Sequence, residues 1–478
     1  MLKKLNSKLL IIIVGRVLQI IIALVAIKLA TKYLSASEMG NFYLVISIAG
    51  FFSLFLINPI GQYINRQTHQ WYEEKNLLNV FYIFNYYILF LSFLSIAIIY
   101  ILHYFNIANN IELITLCSVI FIYIIFHTWN QTIIPMINML EYRISFVLLT
   151  LASQLLFLML AYTFINVIAK EGIYWFLGQA IAFGIIAIVS FIYFKKKIQN
   201  NFDIKIAHKM INKNNLNKII KFSAPLSLSV LFFWMQTQSF PLIIEKYLTS
   251  EFLGYFGVGM AVSLAISAAF ESIIMQYLYP TMYKSMKSEM QFSNTISNII
   301  NLILPIYFLL SIFVSIFAIY INSILVDNKF FDSYIFVIFG IWIAFFRMSS
   351  NIIANIAHSK METKKLILPN FFGALITVVG VIIATQTENY QFNIPIVLII
   401  SAIISFLTMY KMMNNLVSIK LKIKNFLLVL ILSIPFFMGM LFYNYASSII
   451  YSIVIISCFG LYFLLTLYLL IKKGDNIG

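Results

Sequence analysis

An all-α polytopic membrane protein of about 14 transmembrane helices, arranged as two six-helix lobes plus two C-terminal helices, is predicted by three observations. The 478-residue chain is 62% hydrophobic and only 10% charged, far more apolar surface than one soluble core can hide. Apolar runs of about 20 residues, the length that spans roughly 30 Å of hydrocarbon at 1.5 Å per residue, follow one another with short polar breaks. Finally, the stretch Lys32 to Tyr63 returns ungapped at Lys246 to Tyr277. The copies share Lys32/Lys246, Tyr33/Tyr247, Leu34/Leu248, Gly40/Gly254, Phe42/Phe256, Ser53/Ser267, Ile60/Ile274, Gln62/Gln276 and Tyr63/Tyr277. Continuous apolar runs, rather than ten-residue alternating strands, exclude a transmembrane β-barrel.

The first six runs are Leu9 to Lys32, Gly40 to Ile60, Leu77 to His103, Ile111 to Met139, Ile144 to Ile168 and Gly172 to Phe194. The first exceeds the apolar core of a signal peptide and is read as a retained span. These runs make an N-terminal lobe, residues 1–194. A basic linker, 195–221, follows and holds no run long enough to span. The second lobe, 222–415, carries Ile219 to Ile244, Phe252 to Met282, Ser293 to Ile321, Phe331 to Ala357, Leu366 to Ala384 and Ile394 to Met412. Residues 416–478 add Phe426 to Tyr443 and Ser447 to Ile471. Six spans separate the two copies of the repeat, so they share one topology and relate by an axis along the membrane normal.

Charge tests this order, because Lys and Arg in short loops are retained on the cytoplasmic side. With the N-terminus inside, Lys32, Lys170, Lys246 and Lys329 fall outside and Arg16, Lys28 and Arg347 fall within spans. The other Lys and Arg all land on inner segments, so both termini are expected in the cytoplasm. The net charge of +16 therefore records topology, and no nucleic-acid partner is expected. Cys117 and Cys458, both in apolar runs, offer no disulfide framework or metal pair. No phosphate-loop motif, no H-E-x-x-H and no His-carboxylate cluster is present, and the outer loops are short. Neither metal nor cofactor nor enzymatic activity is expected, and a glycan polymerase or ligase would need a long outer loop.

Ile219-Ile220-Lys221-Phe222-Ser223-Ala224-Pro225-Leu226, Lys246-Tyr247-Leu248 with Gly254-Tyr255-Phe256, and Tyr279-Pro280 resemble the start of the second lobe in polysaccharide flippases. These form a branch of the multidrug/oligosaccharidyl-lipid/polysaccharide exporter superfamily. Lys32-Tyr33-Leu34 with Gly40 is similar to that family's first hairpin, and the likeness in length and segment order covers nearly the whole chain. The resemblance implies two lobes around a central cavity that opens alternately to each face. It also implies a bacterial inner-membrane flippase for an undecaprenyl-diphosphate-linked oligosaccharide such as an O-antigen or capsule repeat unit. Glycan polymerase and glycosyltransferases of the same pathway are the implied partners, besides the bilayer, and the two C-terminal helices would hold the prenyl tail. One departure stands out: where many relatives carry an Asp-Arg pair near the end of the seventh helix, this chain has Gln236, Gln238, Ser239, Phe240 and Pro241.

An ionisable group inside a span costs at least about 2.5 to 3.5 kcal/mol, so it faces a cavity or a partner. Arg16 and Arg347 are the candidate cavity cations for a diphosphate. Lys28 either joins them or reaches the interface along its stem. Glu271 is read as a partner of Arg16 or Arg347, as a structural salt bridge, or as a proton carrier, and His127 as a proton switch or a hydrogen-bonded histidine. Gln19, Asn58, Gln154, Gln179, Gln236, Gln238 and Gln276 either face sugars or bond neighbouring helices. An exporter of small cationic or amphipathic compounds is the alternative, but it would want a net acidic cavity.

Overall fold

A computed structural model describes residues 7–198, 202–285 and 288–475. Fourteen helices among them are long and apolar enough to cross a membrane. In chain order they are α1 (Val14–Tyr33), α2 (Ala36–Glu73), α3 (Leu77–Tyr104), α4 (Leu113–Met139), α5 (Arg143–Val167), α6 (Gly172–Ile198) and α7 (Lys213–Gln238). They continue as α8 (Ser250–Met275), α9 (Glu289–Leu325), α10 (Asn328–Ser359), α11 (Thr363–Ala384), α12 (Tyr390–Asn414), α13 (Ile423–Tyr445) and α14 (Ile449–Lys472). No strand occurs among the described residues. This is the membrane solution: without water, each backbone N–H and C=O must be satisfied within its own segment.

Several helices outrun the apolar stretch that marks them. The second continues to Glu73 because residues Asn58–Glu73 form an amphipathic extension, whose polar face needs no lipid. Within α2, residues Phe51–Ile57 form a widened π turn. Pro59, which lacks an N–H and whose ring crowds the carbonyl four residues back, follows directly and accounts for the widening. Tyr87 from α3 donates to the Leu56 carbonyl at 2.9 Å and so ties the distorted turn to its neighbour.

Contacts divide the chain into two compact units. One holds residues up to Ala26 together with Tyr33–Gly254; the other holds Ile27–Lys32 and everything from Tyr255 onward. This grouping by contact cuts across the division at 195–221, because α7 packs on α2. Trp234 donates to the Ser47 carbonyl at 3.1 Å and meets Phe51 edge-on at 5.1 Å, and Ser47 Oγ donates to the Gln238 carbonyl. The linker carries a short helix, Ile204–Met210, capped by Asp203, whose amide donates to Asn79 of α3 at 2.9 Å.

The repeat acquires a physical meaning inside the first unit. The opening turns of α2 and α8 meet through Gly40 and Gly254: a Cβ on Gly40 would strike the Ser250 carbonyl, and one on Gly254 the Ala36 carbonyl. Equivalent glycines of the two copies thus allow one backbone to touch the other, the small-residue contact on which helices rely in lipid.

In the second unit α9 is the most buried span. Asn322 near its end donates to the Phe330 and Phe331 carbonyls at 3.0 and 2.7 Å, holding the turn into α10. The last two spans pack on it through Phe436 and Phe463, whose rings lie 5.3 and 5.0 Å from Phe313. Much of α13 becomes a tighter 3-10 helix, Ile434–Tyr445. Tyr320 and Tyr443 brace it by donating to the Gly439 and Ile316 carbonyls at 2.8 and 2.7 Å.

A valine at Gly40 or Gly254 is expected to lower the melting temperature of the detergent-solubilised protein by several degrees, because the obstacle is rigid backbone. Gly460→Ala, where an added Cβ meets nothing within 4 Å, is expected to be neutral or to stabilise by up to about 1 kcal/mol. Thermal unfolding of the three variants side by side would sink the assignment if all behaved alike.

Candidate functional site

Two groups of polar side chains lie within spans, one in each unit. In the second unit, Glu271 sits on α8, and its Oε1 accepts from Asn351 Nδ2 of α10 at 3.1 Å. Arg347 lies four residues before Asn351, hence one turn away on the same face of α10. Its guanidinium is within electrostatic reach of Glu271. The structure thus brings together two of the ionisable groups that the sequence places in spans. Tyr307 of α9 completes the group as another electrostatic neighbour of Glu271, fully buried, with a hydroxyl that lacks a hydrogen-bond partner among the described residues.

Around these groups the packing is apolar. Tyr307, Phe345, Met348, Ile352 and Ile353 belong to one buried cluster, against which Phe270 and Trp342 pack. In such surroundings a carboxylate and a guanidinium interact far more strongly than in water, and removing either strands the other. Ser349 and Ser350, beside Arg347, also keep hydroxyls without a partner among the described residues. The group therefore offers donors and acceptors beyond those it uses.

Lys28 is placed differently. It belongs to the second unit, where its ammonium donates to the Val326 carbonyl and feels Asp327. The Asp327 amide donates to Thr31 at 3.1 Å. A cation on the carbonyl end of α9 is the arrangement favoured by the helix dipole. Gln276 lies on the same helix as Glu271, but its side chain is outside the described residues.

In the first unit Arg16 donates to Gln19 at 2.9 Å, one turn along α1. Its partner is neutral, so the charge is directed but not cancelled. His127 on α4 stacks on Tyr123 at 4.6 Å with nearly parallel rings, and lies 5.5 Å from Phe183. Around it runs an amide network: Asn130 donates to Ser153 at 3.0 Å, and Trp129 donates to Asn85 at 2.6 Å. Gln154 and Gln238 each keep a buried side-chain carbonyl without a donor among the described residues. Asn58 accepts from Gln62 at 3.4 Å, while Gln236 is buried on α7 and Gln179 half-buried on α6.

Sequence reasoning did not single out Tyr307 or Asn85. Nothing in the order of residues distinguishes Tyr307 among 29 tyrosines; only the approach of α8 to α9 does. Among the described residues no group of three or more His, Cys, Asp or Glu is arranged to hold a metal ion.

The family described as "Polysaccharide biosynthesis protein" matches residues 29–335. Among solved structures, the chain is similar to the lipid II flippase MurJ in an inward closed conformation, with a TM-score of 0.71 at 15% identity, covering 99% of this chain and 100% of that one. It is also similar to an inward-facing multidrug resistance MATE family transporter of the MOP superfamily, with a TM-score of 0.55 at 14% identity, over 84% of this chain and 95% of that one. At these identities the likeness shows the fold. Curated proteins gave no match.

The coupling between Glu271 and Arg347 is measurable. Glu271→Gln is expected to lower stability, since it removes the carboxylate and leaves the guanidinium, and adding Arg347→Gln is expected to restore part of the loss. A double-mutant cycle on detergent-solubilised protein is expected to give a coupling of about 0.5–3 kcal/mol. Strictly additive losses would show the two groups to be independent.

Proposed function

We propose, from the premise that this chain belongs to the polysaccharide biosynthesis protein family, that it is a flippase for an undecaprenyl-diphosphate-linked oligosaccharide. The substrate is an O-antigen or capsule repeat unit, carried from the inner to the outer leaflet of a bacterial inner membrane. The observation that supports this above export of small cationic compounds is the extent of the fold. All fourteen spans take part in the likeness to a flippase of a lipid-linked substrate, whereas the match to the multidrug transporter stops at 84% of this chain. Charge favours the same choice, since the Lys, Arg, Asp and Glu residues well inside the apolar runs are Arg16, Lys28 and Arg347 against Glu271, a balance suited to an anionic headgroup.

In this reading Arg16 is the first receiver of the diphosphate. Its guanidinium is oriented by Gln19, a neutral group that leaves its charge free for a bidentate contact. Arg347 is held in reserve by Glu271. A proton taken up by Glu271 would weaken that hold and free the guanidinium for the phosphate, and loss of the proton would return it, which couples transport to protonation. Gln19, Asn58, Gln154, Gln236 and Gln276 supply hydrogen bonds to sugars, and the two C-terminal spans accommodate the prenyl chain. The mechanism is alternating access by the two lobes, with no covalent step. Both termini are cytoplasmic, and the glycosyltransferases and polymerase of the same pathway act before and after translocation.

Loss of the gene should leave lipid-linked glycan in the inner leaflet, read by accessibility of the glycan to a membrane-impermeant probe on spheroplasts. Arg16→Ala and Arg347→Ala should each reproduce that accumulation at normal protein level, with transport reduced at least about tenfold. Normal outer-leaflet glycan in the deletion strain would overturn the function; full transport by both variants would reduce the arginines to structural residues.

A further inference from the structure

The linker end of the first unit holds a pocket of about 370 Å3 between the start of α3 and the C-terminal parts of α4 and α6, with Phe202 of the linker in its wall. Most of that wall is hydrocarbon and aromatic. Phe81 of α3 stacks on Phe191 of α6 at 5.4 Å, and Phe202 packs on Tyr82 at 5.0 Å. Ala187 of α6, fully buried, contributes only a methyl group, which leaves the hollow open. Ile188 follows it in the wall and is 49% exposed, and Ile185, Val189 and Ile192 on the same helix are exposed as well. The pocket therefore opens beside a face that lipid covers.

The polar groups in the wall already have partners, with one exception. Trp129 donates to Asn85 Oδ1 at 2.6 Å, Asn85 Nδ2 donates to the Phe81 carbonyl at 3.0 Å, and Tyr82 shares a hydrogen bond with Tyr86 at 2.6 Å. The exception is Lys195, exposed at the end of the wall nearest the linker, whose ammonium has no carboxylate partner among the described residues. Lys196 and Lys197 follow it, and Lys205, His208 and Lys209 lie on the short linker helix, which approaches the same edge through His208, 6.4 Å from the Tyr82 ring. Asp203, the carboxylate next to Phe202, is engaged in capping that helix. Water suits the pocket poorly: a volume of this size admits on the order of ten molecules, each needing two to four polar partners, and the wall offers one ammonium.

We propose that this pocket seats an acyl chain of an anionic glycerophospholipid, drawn from the leaflet on the linker side, with the headgroup phosphate on Lys195. The chain follows from the apolar wall and from the opening beside lipid. The anionic headgroup follows from Lys195 and from the lysine-rich edge around it, which attracts negative lipid; a zwitterionic headgroup would bring a second cation to that edge. Phosphatidylglycerol is the simplest lipid of this kind. Once bound, the chain packs on Phe202 of the linker as well as on α3 and α6, so the lipid fastens the linker to the first unit. None of the residues assigned to the transported substrate lines the pocket, and the inference does not depend on what the protein transports.

The test uses the full-length protein, delipidated in detergent and titrated with phosphatidylglycerol, with phosphatidylcholine of the same chains, or with undecaprenyl phosphate. Phosphatidylglycerol is expected to raise the melting temperature by several degrees, saturably, and phosphatidylcholine to raise it less, as ligands of the folded state do in proportion to affinity. Lys195 and Ile188 are exposed, so variants at both should fold. Lys195→Gln should weaken the apparent affinity for phosphatidylglycerol about fivefold, the effect of one lysine near an anionic headgroup, and Ile188→Trp, which fills the opening, should remove most of the shift. Phosphatidylglycerol with a photoreactive group on its acyl chain should label α3 and α6 at the pocket, and Ile188→Trp should abolish that label. An equal shift with phosphatidylcholine, unaltered affinity in Lys195→Gln, or labelling that survives Ile188→Trp would each overturn the site. A larger shift with undecaprenyl phosphate, lost in Ile188→Trp, would also overturn it and assign the pocket to the transported lipid.

Discussion

The bilayer's refusal to hydrogen-bond the backbone governs this molecule. Fourteen helices satisfy it along most of their length, and at several departures from helical regularity a side chain supplies or accepts a hydrogen bond. Tyr87 serves the widened turn of α2, Tyr320 and Tyr443 brace α9 against the 3-10 stretch of α13, and Asn322 holds the turn into α10. The repair also builds tertiary structure: Trp234 and Ser47 lock α7 to α2 beside the distorted turn. Irregular backbone in lipid is expensive, at several kcal/mol per unsatisfied group, so the partners that make it tolerable determine which helices pack together.

Charge inside the spans is accommodated by three different devices. Lys28 neutralises the carbonyl end of a helix. Arg347 is set against Glu271, an arrangement in which each group justifies the other. Arg16 has a neutral hydrogen-bond acceptor, which orients the guanidinium without offsetting its charge. The three cations, equivalent in a hydropathy plot, therefore differ in the group each one meets: a neutral amide, a backbone carbonyl or a carboxylate.

The number of spans and their order were legible because crossing hydrocarbon imposes a length that apolar composition reports directly. The continuation of α2 to Glu73 was not, since an amphipathic extension past the lipid leaves no apolar run. Packing of α7 against α2 was hidden for another reason: a sequence repeat reports symmetry, whereas contact depends on where carbonyls are exposed, as at the turn before Pro59. Glu271 and Arg347 stood out in the sequence as charges in apolar runs, but their approach to each other needed the crossing of α8 and α10. Tyr307 gave no signal at all, because an unpartnered hydroxyl is a fact about neighbours.

The repeat acquires its sharpest meaning where its two copies differ. They meet through equivalent glycines, Gly40 and Gly254, so substitution at either position damages the same contact. Further along, the register that pairs Lys32 with Lys246 pairs Ile57 with Glu271 and Pro59 with Ile273. In the first copy this position carries the end of a π turn with a proline behind it; in the second it carries a carboxylate bonded to Asn351 within a regular helix. A distorted backbone and a charge within a span are both costly in lipid. The two copies thus keep equivalent glycines at their start and differ further along, where one has a π turn and the other a carboxylate.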